Sequence, residues 1–323
     1  MKIATLTLNP CIDRTLYFGA PFKTDALNRA RYAVTNAGGK GINVARIYRK
    51  LGIRAAAYGF VGGTTGGMFS ELLAKEDIPT AFTETSCDTR MCIKLIDADG
   101  TCTEANEGGG PVLEEEYRAL KKQLERFTAD GDDTAILFAG GSVPNGLSKT
   151  VYRDLIAELN QTGNLRFILD ADGEALKAGL ESSPWLIKPN AFELSGLVGY
   201  EITGKTAREK AENAAKASRR IKAEYNTNVL CTLGGDGAVY TDESGSLYVN
   251  APHVTLRGFT GAGDTFLASF VFAYEKNGRD AATALCFASS AAAAKVELAG
   301  TEMPDKNAMM RFVEQVEAVG LDI

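Results

Sequence analysis

Between Arg257 and Phe266 the chain reads Arg257-Gly258-Phe259-Thr260-Gly261-Ala262-Gly263-Asp264-Thr265-Phe266, after an extended stretch and at the mouth of an apolar helix whose core face includes Leu267, Val271 and Tyr274. Residues this small let the backbone come close to a ligand, and successive N–H groups at a helix start cradle anionic oxygens. An aspartate in that position faces a phosphate in transfer and accepts the proton of an attacking hydroxyl. An ordinary pKa of about 4 suffices, because the proton moves only as the new O–P bond forms. The bland alternative is a glycine-rich turn in which Asp264 serves the helix dipole.

A second glycine-rich helix entry is Asn36-Ala37-Gly38-Gly39-Lys40-Gly41-Ile42-Asn43-Val44-Ala45, where Lys40 brings a charge and Asn43 follows one turn on. A polar or anionic ligand fits there, and so does a plain turn with a solvated lysine. A third cluster, Lys188-Pro189-Asn190-Ala191-Phe192-Glu193, sets Asn190 and Glu193 three apart on one helical face behind Lys188. It suits triphosphate with hydrated magnesium, since hard cations prefer oxygen and keep several waters. It equally suits an asparagine N-cap with an acidic third residue, and the two readings are compatible.

Other patterns are rejected. Gly199-Tyr200-Glu201-Ile202-Thr203-Gly204-Lys205-Thr206 satisfies the P-loop spacing, but a helix and not a strand precedes it, ending at Gly199, and Thr206-Ala207-Arg208-Glu209 reads as a capping box. Asp97-Ala98-Asp99-Gly100 is a hairpin turn, and Asp170-Ala171-Asp172-Gly173 lies where a strand gives way to a helix; neither has the distal glutamate of a calcium loop. With one histidine, His253 in a strand-like stretch, and six scattered cysteines lacking a CxxC pair, a zinc site is hard to assemble, and the cysteines are expected to be reduced small hydrophobes.

Positioning these motifs requires a scaffold, and apolar runs of four to eight residues alternate with helical periodicities as in a parallel sheet wrapped by helices. Strands are expected at Thr5–Leu8 and near residues 55–61, 134–138, 166–169, 185–187 and 229–233. Helices are expected at 41–51 and near 68–75, 114–127, 150–159, 191–198 and 207–224. Two segments break the rhythm. Residues 14–35 hold short extended pieces, and Met91–Ile96 with Thr101–Thr103 read as a hairpin; both suit a small sheet at the edge of a cleft. No linker or repeat divides the chain, so a single domain over residues 1–323 is expected. The apolar share of 45%, the charged share of 24% and the net charge of -6 fit a globular protein without a nucleic-acid face. No stretch approaches the roughly 20 apolar residues of a membrane span, and the amino terminus is too short and strand-like for a signal peptide, so a cytoplasmic protein is expected.

In this order the segments resemble the ribokinase-like (PfkB) carbohydrate kinases over essentially the whole chain. Thr7-Leu8-Asn9-Pro10-Cys11-Ile12-Asp13, Ala37–Ala45, Gly141-Ser142-Val143-Pro144, Lys188-Pro189-Asn190 with Glu193, Thr232-Leu233-Gly234-Gly235-Asp236-Gly237 and Gly261–Asp264 match the subgroup acting on phosphorylated ketohexoses. The resemblance implies an α/β doubly wound, mostly parallel sheet with a β lid from about residues 12–36 and 89–106, the lid often being a dimer interface. It implies ATP and Mg²⁺. Asp13, with Gly38, Gly39, Asn43 and Ser142, would face the sugar, while Lys40 and Arg90 would hold its existing phosphate, with Lys94 nearby. Lys188, Thr232, Gly234 and Gly237 would line the nucleotide site, with Asn190 and Glu193 organising Mg²⁺ through water. The N–H groups of Gly261, Ala262 and Gly263 would form the anion hole beside Asp264 as base.

Two departures stand out: Gly140-Gly141-Ser142 replaces the frequent Ser-Gly-Ser, and Cys92 replaces the asparagine usual in relatives acting on fructose 1-phosphate. Those acting on tagatose 6-phosphate can show cysteine there. Lys94 and Asp13-Arg14-Thr15 favour fructose 1-phosphate, giving fructose 1,6-bisphosphate, with tagatose 6-phosphate as the alternative. A non-catalytic sugar-phosphate-binding regulator is a rival that intact Asp264 and Gly261–Gly263 count against. A dinucleotide oxidoreductase is weaker, since no GxGxxG follows the first strand.

Overall fold

The computed structural model describes residues 2–129, 134–162 and 164–322. In chain order the elements are β1 (Lys2–Thr7), β2 (Cys11–Phe18), β3 (Ala30–Gly38), α1 (Lys40–Lys50), β4 (Ala56–Gly62), α2 (Gly63–Lys75), β5 (Thr80–Thr85), β6 (Arg90–Ile96) and β7 (Cys102–Asn106). There follow α3 (Glu114–Ala129), β8 (Ala135–Gly140), α4 (Val151–Leu159), β9 (Leu165–Asp170), α5 (Gly173–Leu180), β10 (Leu186–Ile187), α6 (Ala191–Val198), α7 (Ala207–Tyr225) and β11 (Asn228–Thr232). The chain closes with β12 (Ala238–Asp242), β13 (Gly245–Val249), α8 (Ala262–Lys276), α9 (Ala281–Val296), α10 (Lys306–Met310) and β14 (Ala318–Gly320).

The main sheet has ten strands in the order β14-β13-β12-β11-β10-β9-β8-β1-β4-β5. Every pair from β11 to β5 is parallel, whereas β12, β13 and β14 add on antiparallel. The central strands are buried on both faces, which is why β8 reads as an uninterrupted apolar run. Alternation still sorts their side chains: Ile136 and Phe138 pack with α1, α2, α8 and α9, while Leu137 and Ala139 pack with α3, α4, α5, α6 and α7. This is the expected doubly wound architecture.

The two irregular segments form a second sheet, β3-β2-β6-β7, in which β2 pairs parallel with β6 and the outer pairs are antiparallel. Asp97 closes its hairpin as expected: its carboxylate accepts from the N–H groups of Asp99 and Thr101.

Two expectations need correction. Residues 251–256, including His253, form no strand; residues 250–261 are an irregular connection between β13 and α8, and His253 is exposed. Helix α2 starts at Gly63, well before Met68, because the glycine-rich start hides the helical periodicity. Among the described residues no helix is long and apolar enough to cross a membrane.

Candidate active site

In a parallel sheet the side chains that leave the carboxyl ends of neighbouring strands share one rim, and ligands of such folds gather there. Here β1 runs out into Asn9, β8 into Ser142, β9 ends on Asp170, β10 leads to Lys188 and β11 ends on Thr232. The starts of α1 and α8 face the same rim. Residues from segments distant in sequence thus meet.

Gly261 takes the left-handed conformation, φ 80°, that turns the connection into α8. Gly263 lies beside Lys188, whose Nζ would be 3.4 Å from a Cβ built there. Of the three N–H groups expected to form an anion hole, that of Ala262 bonds the Phe259 carbonyl at 3.2 Å. No protein acceptor is recorded for the N–H groups of Gly261 and Gly263 among the described residues.

Asp264 is buried, and Asn43 Nδ2 donates to its Oδ2 at 2.7 Å. Burial, and next the negative Asp170, push its pKa up to about 6, against the opposing pull of Lys40, Asn43 and Lys188. The ordinary carboxylate assumed from sequence is therefore replaced by a carboxyl group that titrates closer to neutrality. Behind Asn43 lies a chain that sequence reading missed. Arg46, one turn further along α1, donates to Asn43 Oδ1 at 3.2 Å and grips Glu76 through two bonds of 2.6 and 2.7 Å. That acceptor contact fixes the Asn43 amide with its NH₂ toward Asp264. The i, i+3 spacing of Asn43 and Arg46 was the available signal.

Asp170, dismissed with the calcium-like pair, is the hub of the rim. Its carboxylate, nearly fully buried, accepts from Lys40 Nζ at 2.7 Å and lies 3.3 Å from Lys188 Nζ. Burial disfavours its charge, yet the two lysines reverse that and hold its pKa below the ordinary value. Burial likewise works against the charge of Lys40, but Asp170 more than compensates, with help from Asp264 and Glu193. The structure therefore groups Lys40 with Lys188 and Asp170, not with Arg90. Arg90 instead donates to the carbonyls of Asn9 and Glu107. A further cation missed from sequence is Lys295, wholly buried in α9, which donates to the Gly300 carbonyl at 3.0 Å. Its Cε would lie 3.5 Å from a Cβ on Gly261, so it packs against the turn into α8.

The small sheet lies over one side of the rim. A cavity of about 1080 Å³ opens between it and the connection before α8, lined by Asp13, Asn36, Lys94, Arg257, Thr260 and Gly300 among others. Gly39, at φ 141°, caps the start of α1 in a conformation only glycine adopts readily, and a Cβ there would meet Thr7 Cγ2 at 2.7 Å. Gly38 faces Asp13 so closely that a Cβ would meet its Oδ2 at 2.5 Å. Ser142 is exposed on the rim and accepts a bond from Asn9 at 3.1 Å.

On the other side, Asn190 and Glu193 form a reciprocal capping box, each side chain accepting the other's backbone N–H at 2.8 Å. The N–H of Thr232 reaches the Pro189 carbonyl at 3.0 Å, tying β11 to that helix start. Gly234 and Gly237 both have positive φ, and a Cβ on Gly237 would strike the Val249 carbonyl at 2.0 Å. The P-loop pattern fails as expected: Gly199 caps α6 in the left-handed conformation, and Thr206 caps α7. The capping box is incomplete, because the Glu209 carboxylate bonds the N–H of Lys205 and not that of Thr206.

Comparison with known proteins agrees with this arrangement. The family model described as pfkB family carbohydrate kinase matches residues 6–307. The 1-phosphofructokinase of Bacillus subtilis is 34% identical over 301 residues, spanning 93% of this chain and 95% of that protein. The 1-phosphofructokinase of Haloferax volcanii is 32% identical over 315 residues, spanning 98% and 97%. A crystal structure of phosphofructokinase-2 from Escherichia coli in complex with potassium superposes with a TM-score of 0.88 at 29% identity, covering 97% of this chain and 98% of that one. With the doubly wound sheet, these matches establish that the chain belongs to the pfkB family of carbohydrate kinases, ATP-dependent phosphotransferases.

Proposed function

We propose that the enzyme transfers the γ-phosphoryl group of ATP to the 6-hydroxyl of fructose 1-phosphate, with Asp264 as general base. The observation that carries the reading is the convergence of Asp264, Asn43, Lys40, Asp170 and Lys188 on one rim, with a cation-bearing lid cleft beside it. The relatives above 30% identity across almost the whole chain are named 1-phosphofructokinase, which favours this sugar.

A ketohexose furanose carries an exocyclic CH₂O group on either side of its ring oxygen. One end can therefore hold a phosphate while the other offers its hydroxyl to Asp264. Asp13 and Ser142 bond sugar hydroxyls, and Arg90 with Lys94 receives the existing phosphate through charge-assisted bonds. Lys40 and Lys188 leave Asp170 in part to meet the phosphoryl group in transfer, and the Gly261 and Gly263 N–H groups take its developing charge. Thr232, Gly234 and Gly237 line the nucleotide site. As the oxygen of the sugar attacks phosphorus, its proton passes to Asp264, and ADP leaves on the far side.

Magnesium fits the donor set as a hydrated ion. One carboxylate oxygen of Glu193 is committed to the Asn190 N–H, the other has no recorded hydrogen bond, and no cluster of three carboxylates stands nearby among the described residues. Glu193 and Asn190 would hold the ion through water, and bound Mg²⁺ would neutralise phosphate charge. The exposed apolar side chains Phe22, Leu27, Tyr32 and Val34 in and before β3 support the lid as the contact between two copies of a single-domain subunit.

Measuring kcat/KM for fructose 1-phosphate, tagatose 6-phosphate, fructose 6-phosphate and free fructose tests the reading. Fructose 1-phosphate is expected to lead. A higher value for tagatose 6-phosphate, which Cys92 favours, would replace the sugar and spare the mechanism; a higher value for free fructose would remove the phosphate clamp as well.

A further inference from the structure

Cys11 and Asp13 alternate along β2 and so project from one face, and Cys92 is the parallel register partner of Asp13 on β6. Both cysteines are buried. The two sulfurs and an Asp13 oxygen all lie within 4.8 Å of one another, and Cys11 Sγ is already 3.7 Å from Asp13 Oδ1. Across β2, the partner of Cys11 is Gly38. A Cβ at that position would fall 2.5 Å from Asp13 Oδ2 and 2.9 Å from Cys11 Sγ, so the glycine keeps a hollow beside the ligand atoms. Scattered in sequence, the two cysteines became a pair only when β2 and β6 were laid side by side. We propose that Cys11, Cys92 and Asp13 form a binding site for a thiophilic d¹⁰ cation, zinc in the cell, whose occupation blocks the sugar.

The chemistry favours such an ion. Two thiolates and a carboxylate are a donor set for zinc with a fourth position left open for water, and both thiol protons depart when the metal enters. Zinc bonds of about 2.3 Å to sulfur and about 2.0 Å to oxygen set tetrahedral ligand atoms roughly 3.3–3.8 Å apart. The trio therefore needs a contraction of no more than about 1.3 Å, within reach of side-chain rotation. Magnesium, a hard cation, has no use for the sulfurs. Because Asp13 is the residue assigned above to sugar hydroxyls, metal and sugar exclude each other; this second half rests on that assignment.

The test uses the full-length, reduced enzyme and the metal alone. Cadmium titration followed by thiolate-to-metal charge-transfer absorbance, and zinc titration by calorimetry, are expected to give one equivalent per chain. Cys11→Ser and Cys92→Ser should each weaken binding at least about 10-fold, and the double variant should abolish the absorbance. Fructose 1-phosphate should compete, and zinc should raise the sugar KM while leaving the ATP KM alone. Absence of stoichiometric binding, or binding that survives in the double variant, overturns the metal site. Binding that depends on both cysteines but ignores every ketohexose phosphate upholds the metal site and overturns the placement of the sugar on Asp13.

Discussion

Asn43 Nδ2 and Asp264 Oδ2 meet at 2.7 Å across 221 residues of sequence, joining the first turn of α1 to the first turn of α8. Because Arg46, itself gripped by Glu76, holds the amide from behind, the contact has a fixed sense: Asn43 donates and Asp264 accepts. It favours the ionised carboxylate in a place where burial opposes it, and so tunes the proposed base.

Asp264→Asn is expected to keep the fold and nucleotide binding while lowering kcat at least ~10²-fold, the usual scale for a lost general base. Steady-state kinetics beside a circular-dichroism spectrum check this. Near-wild-type turnover in a folded variant removes Asp264 as the base.

The same carboxyl sets a pH dependence. It must be ionised to accept a proton, so activity should fall as pH drops through about 6, where burial and Asp170 have moved its pKa. Asn43→Ala removes a bond to the ionised form, and the acid limb should then move to higher pH, as read from kcat/KM profiles. A limb near the ordinary carboxylate value in the wild type would contradict the buried setting. Stability carries its own sign. The folded pKa lies above the unfolded 3.8, so this group's contribution to stability is present below 3.8 and is lost as pH rises through about 6. Asp264→Asn should therefore be the more stable protein at pH 8, by on the order of 1–3 kcal/mol.

Asp170→Asn leaves the ammonium groups of buried Lys188 and half-buried Lys40 without their shared counter-charge. Loss of one partner from a buried ion pair costs about 3–5 kcal/mol, and a fall of that order in urea stability is expected. ATP, whose phosphates supply the missing charge, should restore more stability to the variant than it adds to the wild type. An unchanged urea midpoint would show that the two lysines are solvated.

Lys205→Ala tests the rejected P-loop pattern. Its backbone N–H serves Glu209 ahead of α7, and kcat should stay within a few-fold of wild type. A phosphate-binding P-loop lysine would cost orders of magnitude, so a severe loss would relocate the nucleotide site.

What the sequence determined by itself was local. The glycine-rich starts of α1 and α8, the cap at Asn190, the hairpin turn at Asp97 and the parallel-sheet rhythm all depend on interactions spanning a few residues or on the burial period of one strand. Such signals survive in a linear string because the φ preference of Gly261 or the reach of Glu193 to Asn190 needs no distant partner. Signals diluted by context were lost: residues 253–256 have strand-like composition yet join no strand among the described residues, and glycine masked the start of α2. Only the tertiary structure decided which strand ends lie side by side. The order β10-β9-β8-β1 brings Asp170 between Lys40 and Lys188, and the seating of α8 against α1 brings Asp264 onto Asn43. Parallel βαβ units repeat one apolar pattern, so that pattern does not encode their order. The charge state of Asp264, the regrouping of Lys40 away from Arg90 and the meeting of Cys11 with Cys92 all follow from that order, because each is set by groups that are neighbours in space alone.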